Sequence, residues 1–205
     1  MNFDHQAIIV QAWSAPETTS VELPPVRVNE VLRARYDVQP AFSYTGAELW
    51  DMETRKAAAP DQYIPTVVRP SSAEKFPSTW HGQIEEFTRV SDQRLWADPA
   101  QFVTVIEHVR LDHANRRAFF VGAERFETPD GRILTAGQGQ PIFHVEHSVA
   151  GPEDDPLNLW RIIHLTEAPD DKLADAFADL AKDPYLRVFI EVHLRDVLGR
   201  DLTRR

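Results

Sequence analysis

Phe102 to Thr166 constrains this chain most, because hydrophobic alternation and turn chemistry agree along its length. Apolar and polar residues alternate over 102–111, 117–127, 133–148 and 158–166, the period of half-buried strands. Asp112 to Arg116 supplies a polar hairpin turn, Pro129-Asp130-Gly131 a strong one, and Gly151 to Pro156 a longer acidic loop. The segment reads as a four-stranded antiparallel meander. Its strands carry His108, His144, His147 and His164, four of the eight histidines in the chain.

With 205 residues, 42% hydrophobic and 26% charged, the chain can bury a real core and does not have the composition of a disordered protein. The formal net charge of -10 argues against a nucleic-acid partner, since Arg116-Arg117 and Arg204-Arg205 are too short to make a basic surface. The lack of cysteine removes disulfides, thiolate nucleophiles and cysteine-ligated metals, and fits a reducing compartment. Met1-Asn2-Phe3-Asp4-His5 has no basic region, Ala7 to Trp13 is too short for a signal core, and no apolar run approaches the ~20 residues of a bilayer span. The expectation is a cytoplasmic protein with neither a nucleic-acid nor a membrane partner.

Three regions flow from the pattern: an arm and linker over 1–25, a main domain over 26–168, and a helical extension over 169–205 packed on that domain. Within the first, Ala7 to Trp13 reads as an edge strand or an arm lying on another subunit, and Ser14 to Pro25 as a linker. Val28, Val31, Leu32 and Tyr36 have helical spacing. A second helix over 45–59 is capped by Thr45, completed by Glu48 at the capping-box position and stopped by Pro60. Tyr63 to Arg69 reads as a proline-bounded edge strand, 71–79 as a loop, and 80–87 as either a helical turn or the start of a strand.

After the meander, Asp170 or Asp171 caps a helix with the stripe Leu173, Ala176, Phe177, Leu180. Asp183-Pro184 opens another, with Leu186, Phe189, Ile190, His193, Leu194, Val197 and Leu198 on one side and Gly199 at its end. Val188 and Val192 widen that stripe, so the helix is expected to be buried or covered by a second copy, which predicts a homo-oligomer.

Strand alternation puts His144 and Glu146 on one face and His147 on the other. If His164 on the next strand joins the first pair, three readings are open. A histidine moves a proton while a carboxylate sets its tautomer; two histidines and a carboxylate hold non-haem iron or zinc; or the three satisfy one another as polar core. Tyr63 and Tyr44 can each offer a phenolic proton to a carbonyl, and Asp51 is a further candidate base. Glu107 falls among Val103, Val105, Val109 and Leu111, where a carboxylate needs a cationic partner or a raised pKa. His193 reads as a core or interface residue, and His113 as a turn residue facing solvent.

Helices, then Tyr63-Ile64-Pro65 with Val67-Val68-Arg69, then a meander closing on Leu159-Trp160-Arg161-Ile162-Ile163-His164, resemble the nuclear transport factor-like (cystatin-like cone) superfamily. Trp80 to Phe87 is loosely similar to a segment of its polyketide-cyclase-like (SnoaL-like) members. The resemblance covers about 26–167 by layout and excludes the arm and the helices after 169. It implies an α+β cone, a curved antiparallel sheet roofed by N-terminal helices; the two C-terminal helices read from the sequence are additional to that cone. The superfamily includes cyclases, dehydratases, isomerases and hydrolases, and non-catalytic partners such as small subunits of ring-hydroxylating oxygenases.

The expectation is a cofactor-independent acid–base enzyme acting on a small, mostly apolar carbonyl compound. His144, His164 and Glu146 would transfer protons and Tyr63 would polarise the carbonyl. A structural subunit of an oligomeric complex is the alternative. A non-haem metal oxygenase using His144, Glu146 and His164 as ligands is the third reading.

Overall fold

The computed structural model describes residues 3–96 and 98–205; Met1 and Asn2, at the start of the expected arm, and Ala97 lie outside the described residues. The described chain opens with a helix where the sequence suggests a strand or an extended arm. Asp4 caps α1 (His5–Ser14) by accepting the Ala7 N–H at 3.0 Å, and the buried His5, Ile9 and Ala12 follow helical spacing. The β-branched run Ile8-Ile9-Val10 masks that period in the sequence. The expected linker contributes β1 (Thr19–Glu22), which pairs with the last strand of the sheet.

Next come β2 (Val26–Arg27), α2 (Val28–Arg35), β3 (Tyr36–Gln39), α3 (Gly46–Ala58) and the single turn α4 (Pro60–Tyr63). The α3 capping box is complete: Thr45 accepts the Glu48 N–H at 3.2 Å while Glu48 accepts the Thr45 N–H at 2.8 Å. The expected strand 63–69 is instead a turn that touches the sheet through one bridge, Val68 to Gln93. The strands continue as β4 (Glu74–Lys75), β5 (Thr79–His81), β6 (Ile84–Arg94), β7 (Phe102–Asp112), β8 (Arg117–Ala123), β9 (Arg125–Glu127), β10 (Ile133–Thr135), β11 (Phe143–Ala150) and β12 (Leu157–His164).

The main sheet has nine strands among the described residues, all paired antiparallel, in the order β1-β12-β11-β8-β7-β6-β4, with β2 added to β12 and β5 to β6. The expected segments 117–127 and 133–148 each break: β9 and β10 leave the sheet and form a hairpin of their own. Asp171–Leu180 is α5, Val188–Val192 is α6, a π-helical turn spans His193–Val197, and β13 (Asp201–Arg204) pairs with β3.

The sheet has two covered faces. One packs on α2, α3 and the helical segment 188–197 through residues such as Phe87, Val109, Phe120, Val145 and Ile162; this is the gripped face. The outer face receives α1, with Ile9 and Ala12 against Phe119, Val121 and Ile163. The final helical stripe is used inside the chain: Leu186, Ile190 and Leu194 are buried in the gripped-face core. That burial removes the reason the sequence offered for a second copy.

Among the described residues no helix is long and apolar enough to cross a membrane. The architecture is α+β with a large antiparallel sheet. It departs from the expected cone order, because β1 comes ahead of α2 and α3 and closes the sheet against its last strand.

Candidate functional site

The expected constellation of His144, Glu146 and His164 does not converge. Register decides this: Phe143 stands opposite His164 and His144 opposite Ile163, and directly opposed residues project from the same face. His144 and Glu146 therefore point toward the α1 side and His164 toward the gripped face. Glu146 accepts from Arg117 Nε at 2.9 Å and Arg161 Nε at 2.7 Å, which makes it an anchor between strands. His144 Nδ1 accepts the Gly122 N–H at 3.1 Å, and burial lowers the pKa of this ring below the usual histidine value.

Tyr63 is buried at the end of α4, among the charges of Asp51, Arg55 and Asp196; its pKa is raised, by burial above all. Nothing connects it to His164. The alternative metal set fails for the same reason of register, and among the described residues no three His, Asp or Glu side chains gather as metal ligands.

His164 has different company. It is fully buried at the end of β12, with ring centroids 5.1 Å from Phe177, 5.8 Å from Phe143 and 6.5 Å from Trp96. Among the described residues neither imidazole nitrogen has a hydrogen-bond partner, nor do the buried Trp96 Nε1 and Gln140 Nε2. Gln140 and Trp96 are joined, since the Trp96 N–H donates to Gln140 Oε1 at 3.3 Å. Unpartnered polar atoms are rare in protein interiors and costly, so their concentration at one place calls for an explanation.

A cavity of about 20 Å³, the size of a water site, borders Gln140 and Phe143. The His164 ring, which does not itself line that cavity, is covered by α5, an amphipathic helix with one buried residue, Phe177, which meets Trp96 at 4.4 Å and Trp160 at 5.5 Å between ring centroids. Burial holds the His164 pKa at about 4, so the ring is neutral at pH 7.

Beside this lies a charged network that the sequence did not reveal. Glu53 and Lys56 on α3 meet at 2.5 Å; Asn158 donates to Glu53 at 2.7 Å, and Lys56 Nζ lies 2.9 Å from His147 Nδ1. Burial pushes the Glu53 carboxyl up, but Lys56 and His147 outweigh it and hold the group well below the carboxylate range. Burial and the Lys56 charge lower His147 to about 4.

On neighbouring strands Arg89 donates to Glu107 at 2.8 Å and to the Ala57 carbonyl at 2.9 Å. Glu107 thus has the cationic partner its apolar face demands. The network joins α3 to the sheet; its side chains are buried and bonded to one another.

A third group joins α3 to the C-terminal segment. His193 is fully buried in the π-helical turn, with Nδ1 at 2.9 Å from the Tyr44 hydroxyl and Nε2 at 3.2 Å from Asp51 Oδ2. Asp51 also accepts from Arg55 at 2.7 Å. Tyr44 is fully buried, so this relay ends inside the protein. Trp80 and Trp50 enclose His113, which is part-buried where the sequence suggested a solvent-facing turn residue.

No family model matches the chain, and no curated protein matches it in sequence. Among solved structures, Zhui aromatase/cyclase from a Streptomyces species superposes at a TM-score of 0.52 and 10% identity, covering 89% of this chain and 99% of that one. The chain has an aromatase/cyclase-like fold.

Ara h 8.0201 aligns at a TM-score of 0.49 and 10% identity, over 85% of this chain and 97% of its own. Ginseng major latex-like protein 151 from Panax ginseng aligns at 0.46 and 11% identity, over 89% and 96%. The aromatase/cyclase likeness is one of fold, and it points to a helix-grip arrangement, without support for the nuclear transport factor-like cone.

Proposed function

We propose that this protein binds a small, mostly apolar carbonyl compound on the gripped face of the sheet, beneath α5, and moves a proton with His164. The observation that carries the reading is that, among the described residues, His164 and Trp96 lie unpartnered under a helix held by one buried residue, with the unpartnered Gln140 amide joined to Trp96. Its parts have complementary chemistry. Trp96 Nε1–H and the Gln140 amide are free donors, suited to a carbonyl oxygen that gains charge as a neighbouring C–H is deprotonated. A neutral imidazole is the acceptor for that proton. Phe143, Trp160 and Phe177 supply apolar walls, and α5 would rise to admit the ligand and close over it.

Compared with the assignment suggested by the sequence, His164 keeps its role, while His144, Glu146 and Tyr63 leave the reacting group. Chemistry of this kind underlies cyclisation, dehydration and isomerisation alike.

Proton abstraction can be tested without the natural substrate. The probe is 2-tetralone, an apolar ketone with exchangeable protons beside its carbonyl, followed by NMR as those protons are replaced by deuterium. The wild-type protein is expected to accelerate exchange, and His164→Gln to reduce the protein-dependent rate by roughly 10²-fold or more. His144→Gln is expected to match the wild type once corrected for folded fraction. Equal rates for wild type and His164→Gln would overturn the assignment.

A further inference from the structure

The outer face of the sheet carries a second concavity, unrelated to the site beneath α5. It is a groove of about 480 Å³ whose walls include Phe3, Phe76 and Phe126 and whose polar lining includes His5, Glu86 and His108. The aromatic groups form a continuous set: Phe3 to His5 is 4.7 Å, Phe3 to His108 is 5.0 Å, His108 to Phe126 is 6.0 Å and Phe76 to Phe126 is 4.8 Å between centroids. A simple packing seam for α1 would leave neither this volume nor the polar group at its end.

His5 is 3% exposed, and among the described residues both its ring nitrogens lack a hydrogen-bond partner; Glu86 Oε1 lies 3.8 Å from Nδ1. His108 Nδ1 is engaged by the Thr88 hydroxyl at 2.9 Å. Among the described residues Glu86 has a cation on one oxygen only, Arg110 at 2.6 Å, and Glu127 adds a second carboxylate to the lining. Burial lowers the pKa of His5 to about 4 and lowers that of His108, so at neutral pH these rings are uncharged acceptors. Two carboxylates thus face the groove against one guanidinium, in a chain of net charge -10.

We propose that this groove binds a small organic cation with an aromatic body, an arylalkylamine. The ammonium offers three N–H donors, which match Glu86, the unpartnered His5 and Glu127, while the ring lies among the phenylalanines. A carboxylate ligand would meet like charge, and a neutral alcohol would leave acceptors unfilled.

The test is calorimetric titration of the full-length protein at pH 7 with 2-phenylethylamine, 2-phenylethanol and phenylacetate. Saturable one-to-one binding of the amine is expected, at least roughly tenfold tighter than the alcohol, with no binding of the acid. Glu86→Gln should weaken the amine roughly tenfold without changing the alcohol. Because that change also frees Arg110, Phe126→Ala serves as a second variant and should weaken amine and alcohol together. Alcohol and amine binding equally well would overturn the cation assignment. Failure of the amine to saturate, or an unchanged affinity in both variants, would overturn the site.

Discussion

Lys56→Met is expected to cost roughly 3–5 kcal/mol of stability, read as a large fall in the urea midpoint, because it leaves the Glu53 carboxylate buried without its cation. Glu53 has no exposed surface, and its other partners are Asn158 at 2.7 Å and His147 at 3.4 Å. Neither supplies a full positive charge: Asn158 is a neutral amide, and burial, the largest cause, lowers the His147 pKa with or without Lys56. A domain of this kind is stable by about 5–15 kcal/mol, so the single variant should be marginal or unfolded. Glu53→Gln combined with Lys56→Met should recover most of the loss, because the stranded charge is gone. A single Lys56→Met variant within about 1 kcal/mol of the wild type would show that water reaches the pair. The same ammonium sits 4.0 Å above the Phe189 ring, so losing it also loosens the C-terminal segment.

The second large effect is loss of stability in mild acid. His5, His147 and His164 are each held at about 4 by burial, against 6.5 for an exposed histidine. Between these values the unfolded chain binds protons that the native chain refuses. Stability is therefore fully present above about pH 6.5 and is lost as pH falls toward 4. Each shift corresponds to roughly 3 kcal/mol, so the three together rival the stability of the whole domain. Urea midpoints measured from pH 7 down to pH 4.5 should fall steeply, and His164→Phe should make the slope shallower by about one proton. A flat profile would mean that these rings protonate without unfolding.

Much of the sheet was legible before the structure because the second half of β7 alternates, β8 is a short apolar run, and the turn at Asp112 to Arg116 between them is polar. The strand β6 was not, for a physical reason. Its gripped-face positions include Glu85, Arg89, Ser91 and Gln93, polar groups buried by partners from distant elements, so hydrophobic alternation fails where the strand is most enclosed. The network of Glu53, Lys56, His147 and Glu107 was hidden for the same reason. Its only local signal was Glu107 on an apolar face, while Glu53 and Lys56 read as the polar side of a helix.

The site was lost at a single step. Alternation within β11 correctly separates His144 from His147, but the relation of His144 to His164 depends on the register of β11 against β12. That register is set by loop 151–156 and by packing on both faces. A shift of one residue sends every side chain to the other side of the sheet. Trp96 and Gln140 could not be found from spacing at all, since they come from connections around the sheet: Trp96 meets His164, and Gln140 meets Trp96, only in three dimensions.

The most direct measurement of the account is the ring nitrogen spectrum of histidine-labelled protein titrated with 2-tetralone, with the His164 signals assigned by their loss in His164→Gln. Binding beneath α5 predicts saturable shifts of the His164 nitrogens as they gain a hydrogen-bonding neighbour, while those of His144, on the opposite face, stay fixed. Saturable binding of the ketone that leaves His164 unmoved, or that moves His144 instead, would contradict the placement of the site.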